Sequence, residues 1–251
     1  HDNQNKWMDE VPLWETNNST VGNAKSGSSE LGYLVGEGPA IARLAKVYQV
    51  LDTATGKQEI SIADNVIYAS LVPDGLESRA IKRSNYKPSL YVYDVLGQDV
   101  ARGINLSSND MGFDAANIGK LQKVVSYGGG NWNNGAIRKG LSSPLAVDSN
   151  LDGITDMAYA GDMEGNLYRF DFRGTPNQWN AQLLYRGSAN QPIIAKPVVY
   201  RISNNRLVVM VGTGTDVFDA DLDNKTMQSF IAVYDDINDH QRTITSAKTK
   251  A

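Results

Sequence analysis

Cysteine is missing from all 251 residues, which excludes disulfides, thiol catalysis and zinc–thiolate sites at once. Histidine is nearly missing too. His1 stands at the terminus and His240 beside a polar tail, so a Ser-His-Asp or Cys-His arrangement has no base, and His240 reads as a solvated side chain. No run of about 20 apolar residues occurs, so no segment reads as a membrane-spanning helix. Positive charge is not in excess either: 24 Lys and Arg against 28 Asp and Glu leave a net charge of −4. Without a basic face there is little electrostatic attraction for nucleic acid or an anionic membrane.

What is present points to an all-β chain. It carries 23 Gly and 41% hydrophobic residues, enough for a sizeable core in one or two domains. The most specific local pattern is Asp148-Ser149-Asn150-Leu151-Asp152-Gly153-Ile154-Thr155-Asp156. Oxygen-bearing side chains alternate along it and a glycine holds the sixth position. Calcium takes six to eight oxygens at about 2.3–2.6 Å, and side chains at every second residue of a curled loop can converge on one point. Asp148, Asn150 and Asp152 supply the first three ligands. Gly153 relieves the bend, the carbonyl of Ile154 points inward, and Asp156 closes the ring.

The plainer reading of Asp, Asn, Ser and Gly is a surface turn. Against it, three carboxylates within about 4 Å repel by a few kcal/mol per pair at an effective dielectric near 20, so a cation favours the closed loop. Magnesium, which keeps its waters, suits an all-protein cage less well. The loop is shorter than an EF-hand: position twelve is Tyr159 rather than Glu. It also lacks flanking helices, because 144–147, 157–162 and 165–171 read as short strands. A structural staple between strands is expected, not a helix-opening sensor.

A repeat runs along the chain. Segments 47–52, 90–94, 167–171 and 231–235 each read as a strand closed by Asp, at Asp52, Asp94, Asp171 and Asp235, usually with a nearby Gly. Recurring short strands of this kind predict β-propeller blades, with a β-sandwich as the alternative. The small-residue stretch Val208-Val209-Met210-Val211-Gly212-Thr213-Gly214 is expected at a crowded inner strand. Blades usually take about 40–45 residues, so four irregularly spaced repeats predict an incomplete or gapped ring. Residues 1–30 are polar and irregular, 31–240 are assigned to the propeller and 241–251 to a polar tail. The opening His1 is expected of a processed or truncated product.

Other features carry weaker expectations. Gly128-Gly129-Gly130-Asn131-Trp132 lacks the Lys-Ser/Thr of a phosphate cradle and reads as a loop. Asp216, Asp219, Asp221 and Asp223 form a second acidic cluster whose alternation at 219, 221 and 223 fits a further metal site, but without the glycine and closing carboxylate of the first loop it reads more readily as a solvated loop. Trp14, Trp132 and Trp179 fit either a sugar-binding surface or blade packing.

Gly140-Leu141-Ser142-Ser143-Pro144, the 148–156 loop, Tyr159-Ala160-Gly161-Asp162, Gly165 to Asp171, Lys196-Pro197, Gly212-Thr213-Gly214 and Gln228-Ser229-Phe230 together resemble the C-terminal propeller domain of the PilY/PilC proteins of type IV pili. Leu31-Gly32-Tyr33 and 39–44 resemble the segment preceding a blade in the same domain. The resemblance implies a quinoprotein-like propeller with calcium held at Asp148, Asn150, Asp152, Ile154 and Asp156. It further implies a bacterial cell-surface, pilus-tip, outer-membrane or periplasmic protein that supports pilus assembly, counters retraction and contributes to twitching motility and attachment. Implied partners are minor pilins at the pilus tip and a host-cell or surface receptor. A departure is that Lys46-Val47-Tyr48 directly follows Ala45, where the family has another strand and turn. Two alternatives stay open: a lectin-like adhesin acting through this domain, and a quinoprotein dehydrogenase-like enzyme.

Overall fold

The computed structural model describes residues 38–45, 48–51, 58–61, 66–74, 87–95, 119–128, 140–174 and 176–239. Expectations for 1–30, 241–251, Asp52, Gly129 to Trp132 and Trp14 lie outside them. Thirteen strands follow in order: β1 (Ala40–Ala45), β2 (Tyr48–Leu51), β3 (Gln58–Ser61), β4 (Val66–Pro73), β5 (Ser89–Asp94), β6 (Leu121–Ser126), β7 (Leu145–Val147), β8 (Met157–Gly161), β9 (Leu167–Asp171), β10 (Asn180–Tyr185), β11 (Val198–Ser203), β12 (Arg206–Gly212) and β13 (Phe230–Asp236). The one helical element among the described residues is a 3-10 turn at Asp219–Asp221.

The strands form two four-stranded sheets, ordered β1-β4-β5-β6 and β10-β9-β8-β7, one three-stranded sheet, β11-β12-β13, and a β2-β3 hairpin. Every ladder is antiparallel. The three larger sheets stack face to face. One core joins Ala42, Leu71, Leu90 and Val92 of the first sheet to Ala158, Tyr168, Phe170 and Leu183 of the second. A second core joins the opposite face of that sheet, through Met157, Tyr159 and Leu167, to Leu207, Val209, Ile231 and Val233 of the third. Consecutive antiparallel sheets stacked in this way are the blades of a propeller.

Being covered on both faces explains why β9 is buried at every residue, Arg169 and Asp171 included; β5 is likewise buried throughout. In the third sheet β13 alternates instead. Val198, Tyr200, Phe230 and Tyr234 lie on its outward, exposed face, while Ile231 and Val233 face the second sheet.

Three expectations about the strands need correction. The segment 47–52 is expected as a blade strand; among the described residues its Tyr48–Leu51 pairs with β3 in a separate hairpin. Asp94 and Asp171 do occupy matching places, opposite Ala69 and Met157 on the face toward the following sheet. Asp235 does not. It lies opposite Leu207, beside Val233, and faces back to the second sheet. A one-residue offset moves a strand side chain to the other face, and here it puts Asp235 inside the interface between blades. The stretch 208–212 is likewise the middle strand of its sheet, not an inner edge.

Candidate calcium site

The loop starts where β7 ends. Asp156 N–H donates to the Val147 carbonyl at 3.0 Å, and the Asp156 carbonyl accepts from Phe172 N–H at 2.8 Å, so both ends of the loop are pinned to the sheet. Within it, Asp148 is the hub. Its Oδ1 accepts from the N–H groups of Leu151 at 2.6 Å and Asp152 at 3.2 Å, and its Oδ2 from Gly153 at 2.7 Å. Asn150 Oδ1 accepts the same Asp152 N–H at 2.9 Å, so oxygens of Asp148 and Asn150 face a common point. Asp152 curls back: Oδ1 accepts from Ile154 N–H at 2.7 Å, and Oδ2 accepts from Asn150 Nδ2 at 3.0 Å.

So tight a curl requires φ of +65° at Leu151 and +88° at Gly153. Glycine adopts that region freely. Leucine there is strained by about 1–3 kcal/mol and persists only where its surroundings over-determine it, which the three N–H bonds to Asp148 do.

Of the five residues expected from the sequence, Asp148, Asn150 and Asp152 are brought together. Asp156 is turned to Ser149, whose N–H and hydroxyl donate to Asp156 Oδ2 at 2.9 and 2.6 Å, and Ile154 enters this network through its N–H. Among the described residues, no group of three or more acidic or histidine side chains stands gathered as a ready cage. The donor set still fits a hard cation: three carboxylates, an amide oxygen and a main-chain carbonyl, with no sulfur or imidazole. A carboxylate offers about four lone-pair positions. Asp148 retains one beyond its three N–H bonds, and Asp156 retains Oδ1. Ser149 was not anticipated, since a serine in a polar turn carries no distinguishing signal.

The loop also touches both neighbouring sheets. Thr155 N–H donates to the Arg43 carbonyl of β1 at 2.7 Å, and Arg201 of β11 reaches the Ser149 carbonyl at 3.5 Å. One strand beyond the loop, a buried clamp joins the second and third sheets. Arg169 donates to Asp235 Oδ1 at 2.6 Å and to Gln182, and the Tyr159 hydroxyl donates to Asp235 Oδ2 at 2.7 Å. Burial, reinforced by the Asp235 charge, pushes the Tyr159 hydroxyl well above its ordinary range, so it remains a donor. Burial also raises the Asp235 carboxyl, while Arg169 and Tyr159 pull it down.

The other candidate features resolve structurally. Buried Asp221 accepts from Thr215 Oγ1 and Phe218 N–H at 3.1 and 3.0 Å, which makes it a cap for the 3-10 turn, while Asp216, Asp219 and Asp223 are exposed. Trp179 is buried edge-on against Phe172, ring centroids 5.4 Å apart, which takes it out of any sugar-binding surface. Asp162 closes the β8–β9 turn, accepting from Glu164 N–H, from Asn166 N–H and Nδ2, and from the Tyr168 hydroxyl.

Comparison with known proteins agrees with this architecture. A family model described as the PilY1 beta-propeller domain matches residues 41–250. A type IV pilus biogenesis factor PilY1 homolog from Xylella fastidiosa is 40% identical over 101 residues, covering 38% of this chain and 8% of that protein. The type IV pilus biogenesis factor PilY1 of Pseudomonas aeruginosa strain UCBPP-PA14 is 35% identical over 96 residues, again 38% and 8%. That of strain PAO1 is 33% identical over 127 residues, 39% and 11%. The match therefore spans only a small part of these relatives. The crystal structure of the Pseudomonas aeruginosa PilY1 C-terminal domain superposes with a TM-score of 0.54 at 23% identity, covering 83% of this chain and 39% of that one, a likeness of fold. Matched over most of its length and built of stacked antiparallel blades, the chain belongs to the PilY1 β-propeller domain family.

Proposed function

We propose that this domain serves type IV pilus biogenesis as a calcium-binding, non-enzymatic propeller at the bacterial surface, at the pilus tip, or in the outer membrane or periplasm. The observation that carries the reading is the 148–156 loop, an all-oxygen donor set on one blade of a PilY1-family propeller that touches both neighbouring blades. Asp148, Asn150, Asp152, the Ile154 carbonyl and Asp156 would hold the ion. What calcium supplies there is charge: it offsets the mutual repulsion of three carboxylates and so stabilises the closed loop. Because the loop touches β1 and β11 as well as its own sheet, its closure sets how three blades meet, and thereby the shape of the surface offered to minor pilins.

Through that surface the domain supports pilus assembly, counters retraction and contributes to twitching motility and to attachment at a host-cell or other receptor. Calcium occupancy shifts the balance between extension-permitting and retraction-permitting states. The experiment is Asp152→Ala in the full-length protein, with calcium binding, pilus number and twitching followed across calcium concentrations. Loss of binding together with altered piliation or twitching is expected. Loss of binding with both unchanged at every calcium level would reduce the ion to a structural staple.

A further inference from the structure

The 148–156 loop holds three carboxylates and no Lys or Arg of its own. Positive charge reaches it from outside its sheet. Arg43, within the edge strand β1 of the first sheet, places its guanidinium Nη1 3.2 Å from where a Cβ would stand on Gly153. The Gly153 N–H is itself bound to Asp148 Oδ2 at 2.7 Å. The Arg43 carbonyl meanwhile holds Thr155 N–H at 2.7 Å, so the backbone of Arg43 is bonded to the loop and its guanidinium lies beside it. From the edge strand of the third sheet, Arg201 reaches the carbonyl of Ser149, next to Asp148, at 3.5 Å and is steadied by Asn204 Oδ1 at 2.9 Å. Both arginines cross a boundary between blades.

We infer that Arg43, assisted by Arg201, is the built-in counter-cation of the 148–156 loop. It offsets carboxylate repulsion while no ion is bound, and its charge opposes a divalent cation entering the same loop. The inference rests on the reading of the loop as a cation site. Gly153 belongs to the device: a Cβ there would crowd the guanidinium, and the backbone is already in the left-handed region. By linkage, an ion that is weakened by Arg43 must in turn weaken the hold of Arg43 on the loop. Affinity is then set by how closely the flanking blades dock.

The test uses Arg43→Gln, Arg201→Gln and the pair, with calcium titrated calorimetrically into chelator-treated protein and melting followed in chelator. Each substitution should tighten the dissociation constant about threefold, and the pair about tenfold, as expected for removing unit charges several ångströms from a divalent ion near the surface. Melting in chelator should fall. Arg43→Lys, which keeps the charge, should restore the wild-type dissociation constant. A cycle of Arg43→Gln with Asp152→Asn in chelator needs no ion: the loss from Arg43→Gln should shrink once Asp152 is neutral, since one of the three carboxylates it offsets is gone. Wild-type protein that binds no calcium but shows this coupling would refute the cation site and leave the counter-cation standing. Calcium binding that is unchanged in the variants, with an additive cycle, would overturn the counter-cation and leave the cation site intact.

Discussion

Removing the Asp235 carboxylate should unfasten the second blade from the third. Arg169 and Asp235 are 1% and 2% exposed and lie 2.6 Å apart, so Asp235→Ala leaves a guanidinium buried without its counter-charge and the Tyr159 hydroxyl without its acceptor. Breaking a buried ion pair from one side costs about 3–5 kcal/mol, and the stranded hydroxyl places this case in the upper part of that range. For a chain of this size each kcal/mol shifts the melting temperature by about 2–4 °C, so a fall of about 10 °C or more is expected. Urea titration followed by circular dichroism gives the free energy directly. Asp236 is the internal control: one residue on, it meets Arg206 only at 3.9 Å, with side chains 35% and 60% exposed, and Asp236→Ala should change stability by less than about 1 kcal/mol. Replacing the pair together, Arg169→Met with Asp235→Leu, should recover much of the loss, because neither charge then remains to be solvated. If Asp235→Ala costs no more than Asp236→Ala, or the double variant is as unstable as the single, the clamp does not hold the blades.

Three further outcomes are expected. Calcium at 100 times its dissociation constant should stabilise the domain by about 2.7 kcal/mol, seen as a thermal shift that Asp152→Ala abolishes; an equal shift in that variant would move the site elsewhere. Gly165→Ala should cost more than about 2 kcal/mol, since φ is +79° and a Cβ would lie 2.4 Å from the Ser188 carbonyl oxygen, whereas Gly212→Ala, with nothing within 4 Å, should be neutral or stabilising by up to about 1 kcal/mol; comparable unfolding midpoints would contradict the turn geometry. Burial raises the Asp162 carboxyl from 3.8 to about 6, so the folded state keeps a proton the unfolded chain has released. Its contribution is full below about pH 4 and lost as pH rises through about 6, a span of about 3 kcal/mol. Asp162→Asn should flatten that part of the stability–pH curve, and an unchanged curve would refute the assignment.

Much of the architecture was legible locally. The runs 144–147, 157–162 and 165–171 fall on β7, β8 and β9, because period-two patterning and turn residues act within a few positions. The loop at 148–156 was legible for the same reason: its alternation and glycine dictate a curl that needs no distant partner, and Asp148, Asn150 and Asp152 do converge. The repeat was legible only in part. Asp235 looks like Asp94 and Asp171 in sequence, yet pairing with β12 offsets it by one residue, and ladder register is settled between strands rather than along one.

The sequence by itself determined the class of fold, the strand pattern and the oxygen-only chemistry of the loop, since these depend on residue type and on spacing over fewer than ten positions. The tertiary structure alone decided which residues surround that chemistry. Arg43 and Arg201 come from 105 residues before Asp148 and 53 after it, and Arg169 meets Asp235 across 66 positions. Such pairs form only when sheets stack, because close packing of whole blades, not local propensity, sets the distance between them.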